Sequence, residues 1–112
     1  MAKVLIVGCG DLGTAIATHL QASQEVIGLR ISDKPLPLNM RTIQADVTKP
    51  ISLKNLENLN PNVIIYCVSA GGQTDEKYES AYVAGLKNVL ATQVKNEFLQ
   101  HVFFVSSTRV YG

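Results

Sequence analysis

Apolar residues recur along the chain in short unbroken runs: Val4-Leu5-Ile6-Val7, Val26-Ile27-Gly28-Leu29, Val63-Ile64-Ile65-Tyr66-Cys67-Val68 and Val102-Phe103-Phe104-Val105. Runs of this length without polar alternation predict strands covered on both faces, as in a parallel sheet. A shorter run spans Met40 to Gln44. The segments between them carry helical spacing. Leu12, Ile16, Ala17 and Leu20 fall on one stripe and predict a helix from about Asp11 to Gln21, with Thr14, Thr18 and a solvated His19 outside it. Ile51, Leu53, Leu56 and Leu59 predict a short helical crossover, broken by Pro61-Asn62. Tyr78, Ala81, Tyr82, Gly85, Val89 and Val94 predict a long helix from an N-cap at Thr74 or Asp75 to about Lys95. Gly85 inside a helix costs about 1 kcal/mol against Ala unless close packing requires it, and packing on the sheet is the expected reason.

Five strands alternating with helices (residues 3–7, 24–29, 40–44, 63–68 and 101–105) predict an α/β fold, a doubly wound, Rossmann-like parallel sheet. Right-handed crossovers give the strand order 3-2-1-4-5. In such sheets ligands bind beyond the carboxyl ends of the strands, where the first and fourth diverge.

The first strand runs directly into Gly8-Cys9-Gly10-Asp11-Leu12-Gly13, and a helix begins at once. Strand, Gly-x-Gly-x-x-Gly turn and helix in this order suit a dinucleotide. Gly8 permits the tight turn, Gly10 lets a pyrophosphate approach the backbone, and Gly13 lets the helix pack close to the strand. Free N–H groups at Asp11 and Leu12 then meet the phosphates with the positive end of the helix dipole. A glycine turn that only tightens packing is the plainer alternative.

The other strand ends supply further candidates. Arg30 follows the second strand, where an acid would grip the ribose of NAD and an Arg suits the 2′-phosphate of NADP. NADP is therefore the expected cofactor, with NAD possible. The alternative leaves Arg30 as a surface charge and gives the ribose to Asp33. Asp46 could accept a hydrogen bond from an adenine amino group, or it could be a loop or capping aspartate. Ser69-Ala70-Gly71-Gly72 are small enough for a cofactor to lie across the fourth strand, or form a surface loop. Ser106-Ser107-Thr108 close the fifth strand at the same edge.

Composition narrows the class. Of 112 residues, 46% are hydrophobic and 17% charged, which suits one globular domain with a modest core. A net charge of +1 argues against a nucleic-acid partner, and no apolar run approaches the ~20 residues of a membrane span. Met1-Ala2-Lys3 enters a strand directly, without signal-peptide layout, and only two cysteines are present, so a cytoplasmic location is expected. Cys9 and Cys67 fall near the ends of adjacent strands: two buried thiols, or alternatively a redox pair.

These residues resemble the extended short-chain dehydrogenase/reductases, the NAD(P)-dependent epimerase/dehydratase family. The resemblance runs through all 112 residues and corresponds to the N-terminal, cofactor-binding part of such enzymes. Gly8 to Gly13 matches the cofactor turn, with Cys9 where many members carry another residue. Asp46-Val47 resembles the pair beside the adenine, and Val68-Ser69-Ala70 the segment under the nicotinamide ribose. Val83 to Leu90 looks like the helix that usually reads Asn-Val-x-Gly-Thr, with Tyr82 at the usual Asn position. Phe104 to Gly112 looks like the family's Ser-Ser-x-x-Val-Tyr-Gly signature, the most specific of these pieces. The resemblance implies that Ser107 belongs to the catalytic set and bonds the substrate oxygen. It also implies hydride transfer on a sugar-nucleotide-like or other carbonyl or alcohol substrate.

The family's acid/base lies in a Tyr-x-x-x-Lys motif, and no Tyr here is followed four residues later by Lys. Residues 1–112 are accordingly expected to bind cofactor, to catalyse little alone, and to form a sheet incomplete relative to the full family fold. The fifth strand would then be an exposed apolar edge, which favours self-association or completion by a further partner segment. Two other classes compete. A nucleotide-sensing regulatory domain of the potassium-transport type shares the Gly-Cys-Gly-x-x-Gly opening but carries an acid where Arg30 stands. A methyltransferase holding S-adenosylmethionine fits the third glycine and the Ser106-Ser107 ending poorly.

Overall fold

The structure, a computed structural model, describes residues 2–8, 11–31, 40–67 and 83–105, without the side chains of Asp11 and Leu12. Five parallel strands form one sheet: β1 (Lys3–Val7), β2 (Glu25–Arg30), β3 (Arg41–Gln44), β4 (Val63–Tyr66) and β5 (His101–Phe104). Their order is β3-β2-β1-β4-β5, as crossover handedness predicts. Helix α1 (Asp11–Leu20) links β1 to β2, a 3-10 helix (Pro50–Asn58) links β3 to β4, and α2 (Gly85–Ala91) precedes β5.

Successive side chains of a strand point to opposite faces, so each apolar run feeds two cores. Leu5, Val7, Ile27, Leu29, Ile64 and Tyr66 face the 3-10 helix and α2, where Leu53, Leu56 and Val89 meet them. Val4, Ile6, Val26, Ile65 and Cys67 face the other way, with Ala17 of α1 buried among them and Ile16 and Leu20 packed alongside. Thr18 and His19 are exposed, as the stripe on α1 requires.

Two elements depart from the pattern-based expectation. The crossover after β3 is a 3-10 helix whose buried residues are Leu53 and Leu56, with Leu59 buried at its C-cap. A spacing of three is the 3-10 period, whereas Ile51 breaks it and is 80% exposed. Pro50 at the first turn presets the backbone. The helix expected to reach Lys95 ends at Ala91, and Val94 is 81% exposed rather than inward. Polar side chains end it. Thr92 Oγ1 donates to the Val89 carbonyl at 2.6 Å, and the buried Gln93 donates to the Leu56 carbonyl at 2.9 Å. Asn96 donates to the Pro61 carbonyl at 2.9 Å. Such side chains offer backbone groups a partner outside the helix. The expected start of this helix at residues 74 and 75 lies outside the described residues.

At the amino edge of the sheet, Asn62 ties three strands together. Its Oδ1 accepts from the Lys3 amide at 2.8 Å, its own amide donates to the Lys3 carbonyl at 2.8 Å, and its carbonyl accepts from the Gln100 amide at 2.7 Å. At the lateral edge, β5 pairs with β4, and among the described residues no strand covers its other side. Phe103 and Phe104 there are 52% and 54% exposed. No helix among the described residues is long and apolar enough to cross a membrane.

Gly85 is where close packing is most exacting. A Cβ on it would lie 2.5 Å from Tyr66 Oη and 2.6 Å from Val47 Cγ2, and both neighbours are buried. Gly85→Ala gains about 1 kcal/mol of helix propensity, but overpacking of this kind costs about 1–3 kcal/mol. A rigid ring and a β-branched side chain cannot yield cheaply, so the variant should lose about 1–2 kcal/mol net. A urea unfolding midpoint at or above wild type would refute this.

Candidate functional site at the carboxyl edge of the sheet

The chain leaves β1 through Gly8, which has φ 87°. That left-handed conformation is strained for a residue with a Cβ. The Gly8 amide donates to the Leu29 carbonyl at 2.9 Å, which fixes the turn against β2. Helix α1 starts three residues later, and Gly13 in its first turn lies against the strand end. A Cβ at Gly13 would stand 2.5 Å from the Gly8 carbonyl oxygen and 3.5 Å from Ile6 Cγ2. The first and third glycines are therefore required by the backbone itself. Cys9 and Gly10 lie outside the described residues, as do the side chains of Asp11 and Leu12.

The residue after each of four strands continues the ladder. Gly8 donates to Leu29, Ala45 to the Arg30 carbonyl at 3.0 Å, Cys67 to Val7 at 2.8 Å, and Val105 to Tyr66 at 2.9 Å. The starts of the loops are thus held along one edge, which brings Gly8, Gly13, Arg30, Asp46 and Val47 to the same end of the sheet. Arg30 pairs in register with Gln44 and is half-buried.

Asp46 sits in a closed polar turn. Its Oδ1 accepts from the Thr48 amide at 2.9 Å and the Thr48 hydroxyl at 2.6 Å. These bonds favour the ionised form and hold the carboxyl below the usual carboxylate range; partial burial opposes them weakly and Lys49 adds to them. Ser52 closes the turn from the other side. Its hydroxyl donates to the Asp46 carbonyl at 2.8 Å and accepts from the Asp46 amide at 3.0 Å. Asp46 thus has the turn-forming role that its plainer reading assigns, and it remains an ionised acceptor at the sheet edge. Val47 is buried, its side chain at Gly85 and its carbonyl accepting from Asn88 Nδ2 at 2.8 Å.

Ser69, Ala70 and the expected catalytic Ser107 lie outside the described residues. Cys67 is a free, buried thiol, and burial pushes its pKa up, which makes it a poor nucleophile. Its suggested partner Cys9 is not described.

Thr48, Ser52 and Asn88 shape the site without having been singled out from the sequence. Asp46-x-Thr48 is a legible turn signal, since an Asp side chain bonds the backbone two residues on. Asn88 had no local signal, because its partner lies 41 positions away.

The arrangement fits a dinucleotide. A left-handed glycine, a helix start pressed onto the strand and a carboxylate two strands away stand on one edge, where a phosphate and a hydrogen-bond donor could be met. No family model matches the chain, and a search of curated proteins finds no match. Solved structures do match. One from Methylobacillus flagellatus, assigned as an NAD-dependent epimerase/dehydratase, is 45% identical with a TM-score of 0.78, over 96% of this chain and 37% of its own. WbmH of Bordetella bronchiseptica, in complex with NAD+, is 23% identical (TM-score 0.73; 96% of this chain, 40% of its own). The ADP-L-glycero-D-manno-heptose-6-epimerase of Helicobacter pylori is 22% identical (TM-score 0.76; 99% of this chain, 40% of its own). The chain thus spans about two-fifths of the structures it matches.

The Asp46 turn has a pH signature. Its folded pKa is depressed, so its stabilisation is complete above the ordinary carboxylate value and is lost as pH falls through the folded one. Asp46→Ala should cost about 0.5–1 kcal/mol at pH 7, the low end for a charge-assisted bond screened by solvent. Unfolding midpoints of variant and wild type should converge below the carboxylate range. A gap that stays constant with pH would assign the turn's stability to other groups.

Proposed function

We infer that this chain, which belongs to the epimerase/dehydratase branch of the short-chain dehydrogenase/reductase family, is the dinucleotide-binding part of an NAD(P)-dependent enzyme. The parent activity would be hydride transfer on a sugar-nucleotide-like or other carbonyl or alcohol substrate. The observation that carries this reading is the strand end itself: Gly8 in the left-handed region and Gly13 pressed onto its carbonyl, in a chain 45% identical to the Methylobacillus protein.

Each residue has a part in this proposal. Gly8, Gly10 and Gly13 leave room for the pyrophosphate, and the amides at Asp11 and Leu12 meet it. Arg30 faces the adenosine ribose, and Asp46 faces the adenine, with Val47 supporting that loop from the core. Ser69 and Ala70 lie under the nicotinamide ribose. Ser107 holds the substrate oxygen by a hydrogen bond and so orients the reacting carbon. When bound, the nicotinamide supplies the hydride acceptor or donor. For residues 1–112 themselves the proposed role is cofactor binding.

Arg30 supports acceptance of the 2′-phosphate of NADP, through the planar fork of donors that a guanidinium offers. The names of the matched proteins supply NAD. Exposure of Phe103 and Phe104 on β5 supports self-association with a second copy of this chain along that edge.

Calorimetry tests the cofactor. NAD+ or NADP+ should bind the chain, and no heat from either at millimolar concentration would falsify the assignment. Arg30→Ala should weaken NADP+ about tenfold, the scale of one charge-assisted bond, and leave NAD+ within about twofold. Equal losses for both would remove Arg30 from the 2′-phosphate. Sedimentation velocity tests the edge: the mean mass should rise with concentration, and a monomer at every concentration would refute the pairing.

A further inference from the structure

We propose that Asn88 is a positioning residue for the adenine end of the site, acting through the Val47 carbonyl. The inference rests on the dinucleotide reading above and adds a residue to it. The segment carrying Asp46 and Val47 is a loop, and a loop backbone holds a ligand well only if something rigid fixes it. From below, Ser52 clasps the amide and carbonyl of Asp46. From the side, α2 fixes Val47 twice, by Gly85 against its side chain and by the Asn88 amide at 2.8 Å from its carbonyl. Val47 is buried, and a buried carbonyl needs a donor. Without Asn88 the Val47 peptide would turn to find another partner, and the carboxylate one residue away would turn with it. Helix α2 immediately precedes β5, so its amide links the adenine end of the edge to the far half of the sheet.

A purely structural hydrogen bond provides the control. Asn96 donates to the Pro61 carbonyl at 2.9 Å, from the segment that follows α2. Asn88→Ala should weaken ADP and NAD+ about five- to tenfold, the range of one buried hydrogen bond, at a temperature where the variant is folded. Nicotinamide mononucleotide, which lacks the adenine, should change by less than about twofold. Asn96→Ala should lower the melting temperature without weakening ADP. Asn88→Asp, close in shape but presenting an oxygen to the carbonyl, should weaken ADP at least as much as Asn88→Ala, and it serves if the alanine variant does not fold. Equal ADP affinity in wild type and both Asn88 variants overturns the inference and leaves the dinucleotide reading standing. A wild-type chain that binds no ADP, NAD+ or NADP+ overturns both. Equal losses for ADP and nicotinamide mononucleotide overturn the positioning role in favour of general loosening.

Discussion

The distance between Gly13 and the carbonyl of Gly8 governs the site. With 2.5 Å between that oxygen and the place of a Cβ, α1 sits as close to β1 as a backbone without side chains permits. Two consequences follow from this one approach. The helix start is delivered at the strand end, beside a glycine already in the left-handed region. The helix is also seated deeply enough to bury Ala17 against Val4, Ile6 and Val26. The placement of the helix start and the packing of the core thus depend on the same missing methyl group.

A second close approach has a comparable effect on the opposite face. Gly85 lets α2 descend onto Tyr66 and Val47, and Val47 belongs to the loop that follows β3. The two glycines press helices onto opposite faces of the sheet, and both contacts fall near the carboxyl ends of strands. Closeness at this edge comes from absent side chains, whereas the amino edge is held by added ones, Asn62 and Lys3 among them.

The strands were legible in the sequence because a strand buried on both faces leaves an unbroken apolar run. All five lie within about two residues of the positions their runs predict, and the order follows from crossover handedness. Helix type and helix length were less legible. Leu53, Leu56 and Leu59 satisfy a 3-10 period and nearly satisfy an α period, and only the exposure of Ile51 separates the two. The end of α2 depends on Gln93 and Asn96, whose partners lie 37 and 35 residues away. At the site, the Gly8 and Gly13 requirements were readable because they are local. Asn88 was not, because a polar residue on a helix gives no sign that a carbonyl from another crossover will meet it.

Asn62 has a meaning for how the chain assembles. One side chain and its peptide group bond Lys3 at one end of the sequence and Gln100 near the other, with Phe98 accepting from its Nδ2 at 3.2 Å. Parallel neighbours have no hairpin turn to set their alignment, and a slip by one residue would exchange the two cores. Asn62 meets that hazard as a common stop. β1, β4 and β5 each begin beside it, so three separately delivered strands share one zero of register. The far end of β1, where the glycine turn lies, comes into line with the far ends of β4 and β5 because their near ends were counted from the same residue.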